Sequence, residues 1–489
     1  MNVSLINPPF KLEYGRFSRD QRSPAITKSG TLYYPIWLSY ACGMLEKRGF
    51  QCQLIDSCAE RLTVKETIDK MVSFKPGLIV INTSTPSIYA DVAFAEHAKA
   101  SLPNAFIILV GTHVSALPEE SLRLSESIDA VARGEYDVTV CELAEALKGA
   151  GDISTVAGIT FRNQKTGEIV HTSQRKLIED LDELPFVSSV YKRHLDISNY
   201  FFAAAEYPMV MIFTGRGCPN RCFFCVYPQT MHGRRYRLRS PRNVVDEFEF
   251  IISELPQVKE VGIEDDTFTA DLARAKEICE LIIERQLNKK VRWWVNARVN
   301  LDYDTMLLMK KAGCRLLITG FESGDQALLN NMKKGINLTQ SREFVRNAKR
   351  AGLLVHGCYM VGNPGETRKS MLETLKLAIE LDTDTAQFFP LMVYPGTEAY
   401  GWAERQGLLR TKDFEQWVTR EGLHNCVVDG CGITAQEFVE FCDYARRRYY
   451  LRPRYLLRKV GQVIAYPNER RRVFKAAKRF VRFLFRRGE

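Results

Sequence analysis

The stretch Met209-Val210-Met211-Ile212-Phe213-Thr214-Gly215-Arg216-Gly217-Cys218-Pro219-Asn220-Arg221-Cys222-Phe223-Phe224-Cys225 reads as a short apolar strand running straight into a loop that carries three cysteines. The apolar run is strand-sized, and Gly215 and Gly217 supply the turn signals that end it. It opens a series in which further strands, expected at 260–263, 291–295, 316–319, 355–361 and 385–390, each alternate with a helix. Such a series predicts a partial (β/α)6, TIM-like barrel, with the active site at the C-terminal ends of its strands. The cysteine loop stands at one such end.

Upstream the same alternation begins at the first residues. Strands are expected at 3–6, 53–55, 78–81 and 106–110, with helical stretches near 37–48, 64–74 and 90–100. This α/β pattern predicts a doubly wound, Rossmann-like domain. A polar hairpin follows, 159–162 and 169–171, turning at Lys165-Thr166-Gly167, and then an acidic, irregular connector at 177–185. The organisation expected is a Rossmann-like domain over 1–165, a linker over 166–205, the barrel over 206–400 and a helical C-terminal region over 401–489.

A chain of 489 residues is too long for one core. Its composition, 45% hydrophobic and 26% charged, is that of an ordinary globular protein rather than a disordered one. The start, Met1 to Pro9, lacks a basic segment followed by a long apolar one, and the longest apolar runs fall far short of the roughly 20 residues of a membrane span. A cytoplasmic location is therefore expected. The formal charge of +10 comes from the end of the chain: residues 446–489 hold 16 Lys or Arg against two Glu, so the rest is net acidic. That argues against nucleic acid as a partner. In 470–487, Val473, Ala477, Phe480, Val481 and Leu484 recur at helical spacing among arginines and lysines, a pattern that fits adsorption to an anionic membrane surface.

Thirteen cysteines in such a chain do not suggest a disulfide framework. Cys42, Cys52, Cys141, Cys279 and Cys314 read as small buried hydrophobes, as do Cys426, Cys431 and Cys442, whose spacing fits no cluster pattern. Cys218, Cys222 and Cys225 differ. Thiolates spaced C-x3-C-x2-C suit an iron–sulfur cluster, and three ligands leave one iron open. Zinc is the alternative, but no second cysteine pair follows and His232 is the only nearby candidate ligand. Arg216 and Arg221 would offset the cluster's negative charge.

With Phe224 before the third cysteine, this loop resembles that of the radical S-adenosylmethionine superfamily. The resemblance implies a [4Fe-4S] cluster on Cys218, Cys222 and Cys225, with S-adenosyl-L-methionine chelating the open iron and cleaved to a 5′-deoxyadenosyl radical. It also implies a reducing partner such as flavodoxin or ferredoxin. Glu264, Asp265 and Asp266 then fall where the superfamily meets the methionyl amine, although Asp266-Thr267 also reads as the cap of a helix over 270–285. Arg298 would reach the cofactor's ribose or carboxylate. Glu322, Ser323 and Gly362 lie on glycine-rich turns at later strand ends, where backbone can approach a ligand closely.

Asn7-Pro8-Pro9, Tyr34-Pro35, Val110-Gly111-Thr112-His113 and Arg133-Gly134-Glu135 resemble the cobalamin-binding domain fused to one branch of that superfamily, so that the likeness covers about residues 1–400. It implies cobalamin, embraced by strand-end loops holding Thr83, Ser84, Gly111, His113, Gly134 and Glu135. The usual double glycine before Thr112-His113 is here Val110-Gly111, and a domain that keeps the fold without the corrin remains open. Tyr191–Ile197, Val226–Thr230 and Arg235–Ser240 carry a narrower likeness, to the hopanoid cyclitol ether synthase group and, more distantly, to the anaerobic magnesium-protoporphyrin ester cyclases. The function expected is modification of a lipid or isoprenoid-derived substrate by rearrangement, cyclisation or bond formation. The alternatives are a cobalamin-dependent radical methyltransferase and a non-catalytic cluster or corrin sensor.

Overall fold

The computed structural model describes residues 1–430 and 432–465. Two parallel sheets organise these residues. In the first, β1 (Asn2–Asn7), β2 (Gln51–Asp56), β3 (Leu78–Asn82), β4 (Phe106–Val110) and β5 (Ala130–Ala132) run parallel, and β6 (Ile159–Arg162) and β7 (Ile169–His171) extend the sheet antiparallel, in the order β2-β1-β3-β4-β5-β6-β7. The strands β3 and β4 are buried almost throughout, as sheets covered on both faces require. Each buried Ile, Leu or Val there is worth about 1.5–3 kcal/mol.

The second sheet comprises β8 (Met209–Ile212), β11 (Glu260–Ile263), β12 (Arg292–Asn296), β13 (Cys314–Glu322), β14 (Leu354–Val361) and β15 (Thr385–Pro390). Between its first two strands a separate antiparallel ribbon, β9 (Gly215–Arg216) and β10 (Arg237–Leu238), flanks the cysteine loop. Apart from that ribbon, the six strands pair in parallel in the order β15-β14-β13-β12-β11-β8. Helices follow the strands, so the sheet curls into the expected six-fold partial barrel with a seam between β8 and β15.

Both seam edges are capped by side chains, which solves the problem of exposed edge strands. Alternate carbonyls of the first strand accept from buried tyrosine hydroxyls: Met209 from Tyr34 at 2.8 Å, Met211 from Tyr191 at 3.0 Å and Phe213 from Tyr40 at 3.3 Å. Tyr34 in turn stacks on Tyr191 and Tyr200. On β15, Tyr450 bonds both backbone groups of Ala386, and Arg446 donates to Phe388 O. Both come from the helix Ala435–Tyr450.

Residues 166–205, expected as a linker, are ordered and in their second half packed into the core. The strand β7 completes the first sheet, and the helix Val187–His194 buries Val190 and Tyr191. The burial of Val190 and Tyr191, which the local polarity of the connector does not reveal, accounts for the difference. The tail helix read at 470–487 lies outside the described residues, as does Cys431.

Candidate active site

The cysteine loop is shaped by its glycines. Gly217 sits at φ +94°, and a Cβ there would lie 2.0 Å from Arg235 O, so only glycine lets β9 turn under β10. Beyond the turn, Cys218 and Cys222 are each 8% exposed and Cys225 is half-buried. Gln229 donates to the carbonyls of Phe223 and Cys225, at 3.1 and 2.7 Å, and Asn220 donates to Cys218 Sγ at 3.3 Å. Burial, and then the nearby Asp266, push the Cys218 and Cys225 thiols up. A positively charged group bound to the sulfurs would reverse that preference.

Two cations face this loop. Lys334, paired with Glu322 at 2.8 Å, stands 5.9 Å from the Phe224 ring centre. Arg22, from the N-terminal segment, bonds Glu264 Oε1 at 2.5 Å and Asp266 Oδ1 at 3.3 Å. Its charge is felt by Cys225, and that of Lys334 by Cys222. Arg22 has no sequence motif; only the fold brings it here.

The carboxylates at the end of β11 divide their work. Asp265 braces the loop after β8, accepting from Thr214 N and Oγ1, both at 2.6 Å, and from Tyr236 at 2.9 Å. Glu264 and Asp266 both bond Arg22; Glu264 Oε2 and Thr267 Oγ1 are buried without a hydrogen-bond partner, whereas Asp266 Oδ2 is paired with His232 Nε2. Burial raises Glu264 above the usual carboxylate range against the pull of Arg22. Burial also opposes the charge on Asp266, but His232, 2.5 Å away, and Arg22 outweigh it and hold that group low. The cap read at Asp266-Thr267 is corrected: Asp271 caps the helix Leu272–Glu284 by accepting from Arg274 N, which leaves Asp266 to the site.

Of the later strand ends, those of β12 and β13 reach the cysteine loop through Lys334. Arg298 donates to Lys334 O at 2.5 Å, and Glu322 holds a left-handed backbone at φ +62°. Ser323 instead supports its turn, bonding Thr374 and Asp325 N. Gly362, at φ +94°, donates to Glu366 and packs beside Phe438. Soft thiols, neighbouring cations and the orphaned oxygen of Glu264 fit a [4Fe-4S] cluster with a ligand carrying an ammonium group.

The strand ends of the first sheet meet this site directly. The helix Thr112–Ala116 packs on Val226–Thr230, which follows Cys225. At Gly111, φ is +122°, and a Cβ would fall 2.5 Å from Thr83 O. Thr83 donates to Val110 O, and Ser84 bonds Ser87, which donates to Asp91. Gly134, at φ +76°, donates to Ser115 and lies under Met231. His113 is buried between Thr85, 3.2 Å away, and the edge of Phe414; burial drops its pKa to about 3, so it stands as a neutral wall residue. The expectation that Glu135 lines a corrin crevice is corrected, since it is buried against Arg237 and Arg216. Asp137 takes the other side of Arg216 at 2.7 Å. These pairs fasten the ribbon that carries the cysteine loop to the end of the first sheet.

Between the two edges lie Asp20, bonded by Asn82 at 2.9 Å, and the buried, unpartnered hydroxyl of Tyr136. Burial raises Asp20 to about 6. Glycine turns, hydroxyl loops and these polar groups fit a ligand with amide arms such as cobalamin. Of the remaining cysteines, Cys426 and Cys442 are buried, and Cys426 bonds backbone carbonyls.

Comparison with known proteins bears on the same residues. The model of the radical SAM superfamily matches residues 212–378, and that of the B12 binding domain matches 22–144. The chain is 31% identical over 432 residues to an uncharacterised methyltransferase of Pyrococcus horikoshii, covering 88% of this chain and 91% of that one. It is 27% identical to the anaerobic magnesium-protoporphyrin IX monomethyl ester cyclase of Cereibacter sphaeroides, covering 75% of this chain and 60% of the cyclase. Among solved structures it is similar in fold to the radical S-adenosylmethionine methyltransferase TsrM of Kitasatospora setae with cobalamin and [4Fe-4S] cluster bound. The TM-score is 0.66 at 19% identity, covering 93% of this chain and 82% of that one.

Proposed function

The chain belongs to the radical SAM superfamily, in the branch with an N-terminal B12-binding domain, and from that premise we propose that it is a methyltransferase acting on a carbon of a lipid or isoprenoid-derived substrate. It is an enzyme whose cofactors are a [4Fe-4S] cluster, S-adenosylmethionine and cobalamin. When bound, the cluster and S-adenosylmethionine supply a 5′-deoxyadenosyl radical, and cobalamin supplies a methyl group.

The observation that carries the reading is the packing of Thr112–Ala116 on Val226–Thr230, which sets the corrin-side loops and the cysteine loop edge to edge. Within that arrangement Cys218, Cys222 and Cys225 hold the cluster. Glu264 orients an ammonium group through its unpartnered oxygen, with Asp266, held by Arg22 and His232, adding negative charge beside it. Lys334 and Arg22 balance the negative charge, and the buried Phe223 keeps water from the loop. The loops with Thr83, Ser84, Gly111 and Gly134 hold cobalamin, with His113 in the wall. Support for methyl transfer over ring closure comes from the Pyrococcus relative, which matches over nearly its whole length. The cyclase relative keeps ring closure as the second reading.

The test is anaerobic turnover with reconstituted cluster, cobalamin and a reductant in the presence of a total lipid extract. Methyl transfer yields S-adenosylhomocysteine and 5′-deoxyadenosine together, and Cys222→Ala abolishes both. Formation of 5′-deoxyadenosine without S-adenosylhomocysteine favours ring closure and overturns the first reading.

A further inference from the structure

Along the barrel seam lies a cavity of about 520 Å³, within the range of roughly 300–1,000 Å³ typical of small-molecule sites. Its walls are mainly apolar, formed by residues such as Phe202, Ala203, Phe389, Val439, Leu451 and Leu456. The polar groups inside are largely spent on one another: His356 bonds Thr385 at 2.7 Å and Gln387 at 3.2 Å. The inner end reaches Tyr33 and Gln21. The next residue, Arg22, holds Glu264 and Asp266, and Tyr33 lies within electrostatic range of both Arg22 and Glu264, so the inner end of the cavity lies beside the carboxylates of the site.

The outer end is unlike an ordinary protein surface. Leu451 and Leu456 at the mouth are 46% and 47% exposed, and Leu457 and Val460 beside them 73% and 57%. Leu456, Leu457 and Val460 lie on the helix Pro453–Ala465, interleaved with Arg454 and Lys459, while Arg458 turns inward to bond Asp382. A cluster of exposed aliphatic side chains set among cations is the signature of a helix that rests on an anionic lipid surface.

We propose that the seam cavity holds the apolar chain of a membrane lipid, drawn from an anionic bilayer on which the helix Pro453–Ala465 rests, with the carbon to be modified directed toward Arg22. The chemistry at that carbon rests on the methyltransferase reading; the binding does not.

The probe is a diazirine-bearing fatty acid, carried in vesicles of phosphatidylcholine with or without phosphatidylglycerol and photolysed with the full-length reconstituted enzyme. Adducts are expected on cavity walls near 201–204, 387–389 and 439–451, stronger with the anionic vesicles. Ala203→Trp should lower them at least tenfold. Leu451→Trp, at the half-open mouth, serves the same purpose should Ala203→Trp fail to fold. Leu457→Asp should cut sedimentation of the enzyme with anionic vesicles several-fold. Adducts confined to 453–460, adducts on residues 466–489 bound in the cavity's place, or equal labelling of Ala203→Trp would overturn the proposal. Equal labelling from both kinds of vesicle would overturn its membrane half. Cavity labelling without S-adenosylhomocysteine sinks only the methyltransferase reading, whereas S-adenosylhomocysteine with an unlabelled cavity sinks only this inference.

Discussion

Arg22 shows how one side chain from the first domain conditions chemistry in the second. Its guanidinium is the cation nearest Glu264, and without it burial would raise that carboxyl further. Arg22→Gln is therefore expected to move the acid limb of the pH profile for S-adenosylmethionine cleavage upward, because Glu264 must be ionised to receive an ammonium group; an unmoved limb would exclude the role. Histidines give a separate pH effect. Burial drops His113 to about 3 and His356 and His424 to about 4. In the unfolded chain each takes up a proton near pH 6.5, while the native state stays neutral, so stability is full above that pH and falls as the pH drops toward 4. Thermal denaturation of the cofactor-free chain should show that fall, and His356→Gln should flatten part of it.

Loops between elements hold the cofactor-bearing groups in place by backbone geometry. Gly217 and Gly111 combine left-handed φ values with contacts that leave no room for a methyl group, 2.0 Å from Arg235 O and 2.5 Å from Thr83 O. Gly217→Ala is expected to lower reconstituted iron and sulfide to well under half while far-ultraviolet dichroism stays native. Gly111→Ala should instead reduce bound cobalamin, read from its visible absorbance, and leave iron intact. Opposite losses would mean that the two loops have been assigned to the wrong cofactors.

Across the molecule, buried ion pairs fasten the ribbon of the cysteine loop to the end of the first sheet: Glu135 with Arg237, and Asp137 with Arg216. Removing one member strands a buried charge, which typically costs about 3–5 kcal/mol. Arg237→Met should accordingly lower the urea midpoint; an unchanged midpoint would show that the pair contributes nothing to holding the ribbon against the first unit.

How much of this was legible beforehand follows from the range of each interaction. Periodicity and the C-x3-C-x2-C spacing are local, so the sequence by itself determined both α/β units, every barrel strand to within a few residues and the three cysteines. The position of Glu264 and Asp266 just past the end of a barrel strand was also legible, because the strand pattern is local. The roles of Arg22, Glu135 and the tyrosines along β8 depend on partners scores to hundreds of residues away. No local pattern encodes those contacts, and only the tertiary structure decided them. The cysteine loop is complete in one stretch of chain, whereas the seam cavity and the cations that face the cluster exist only once distant segments are packed together.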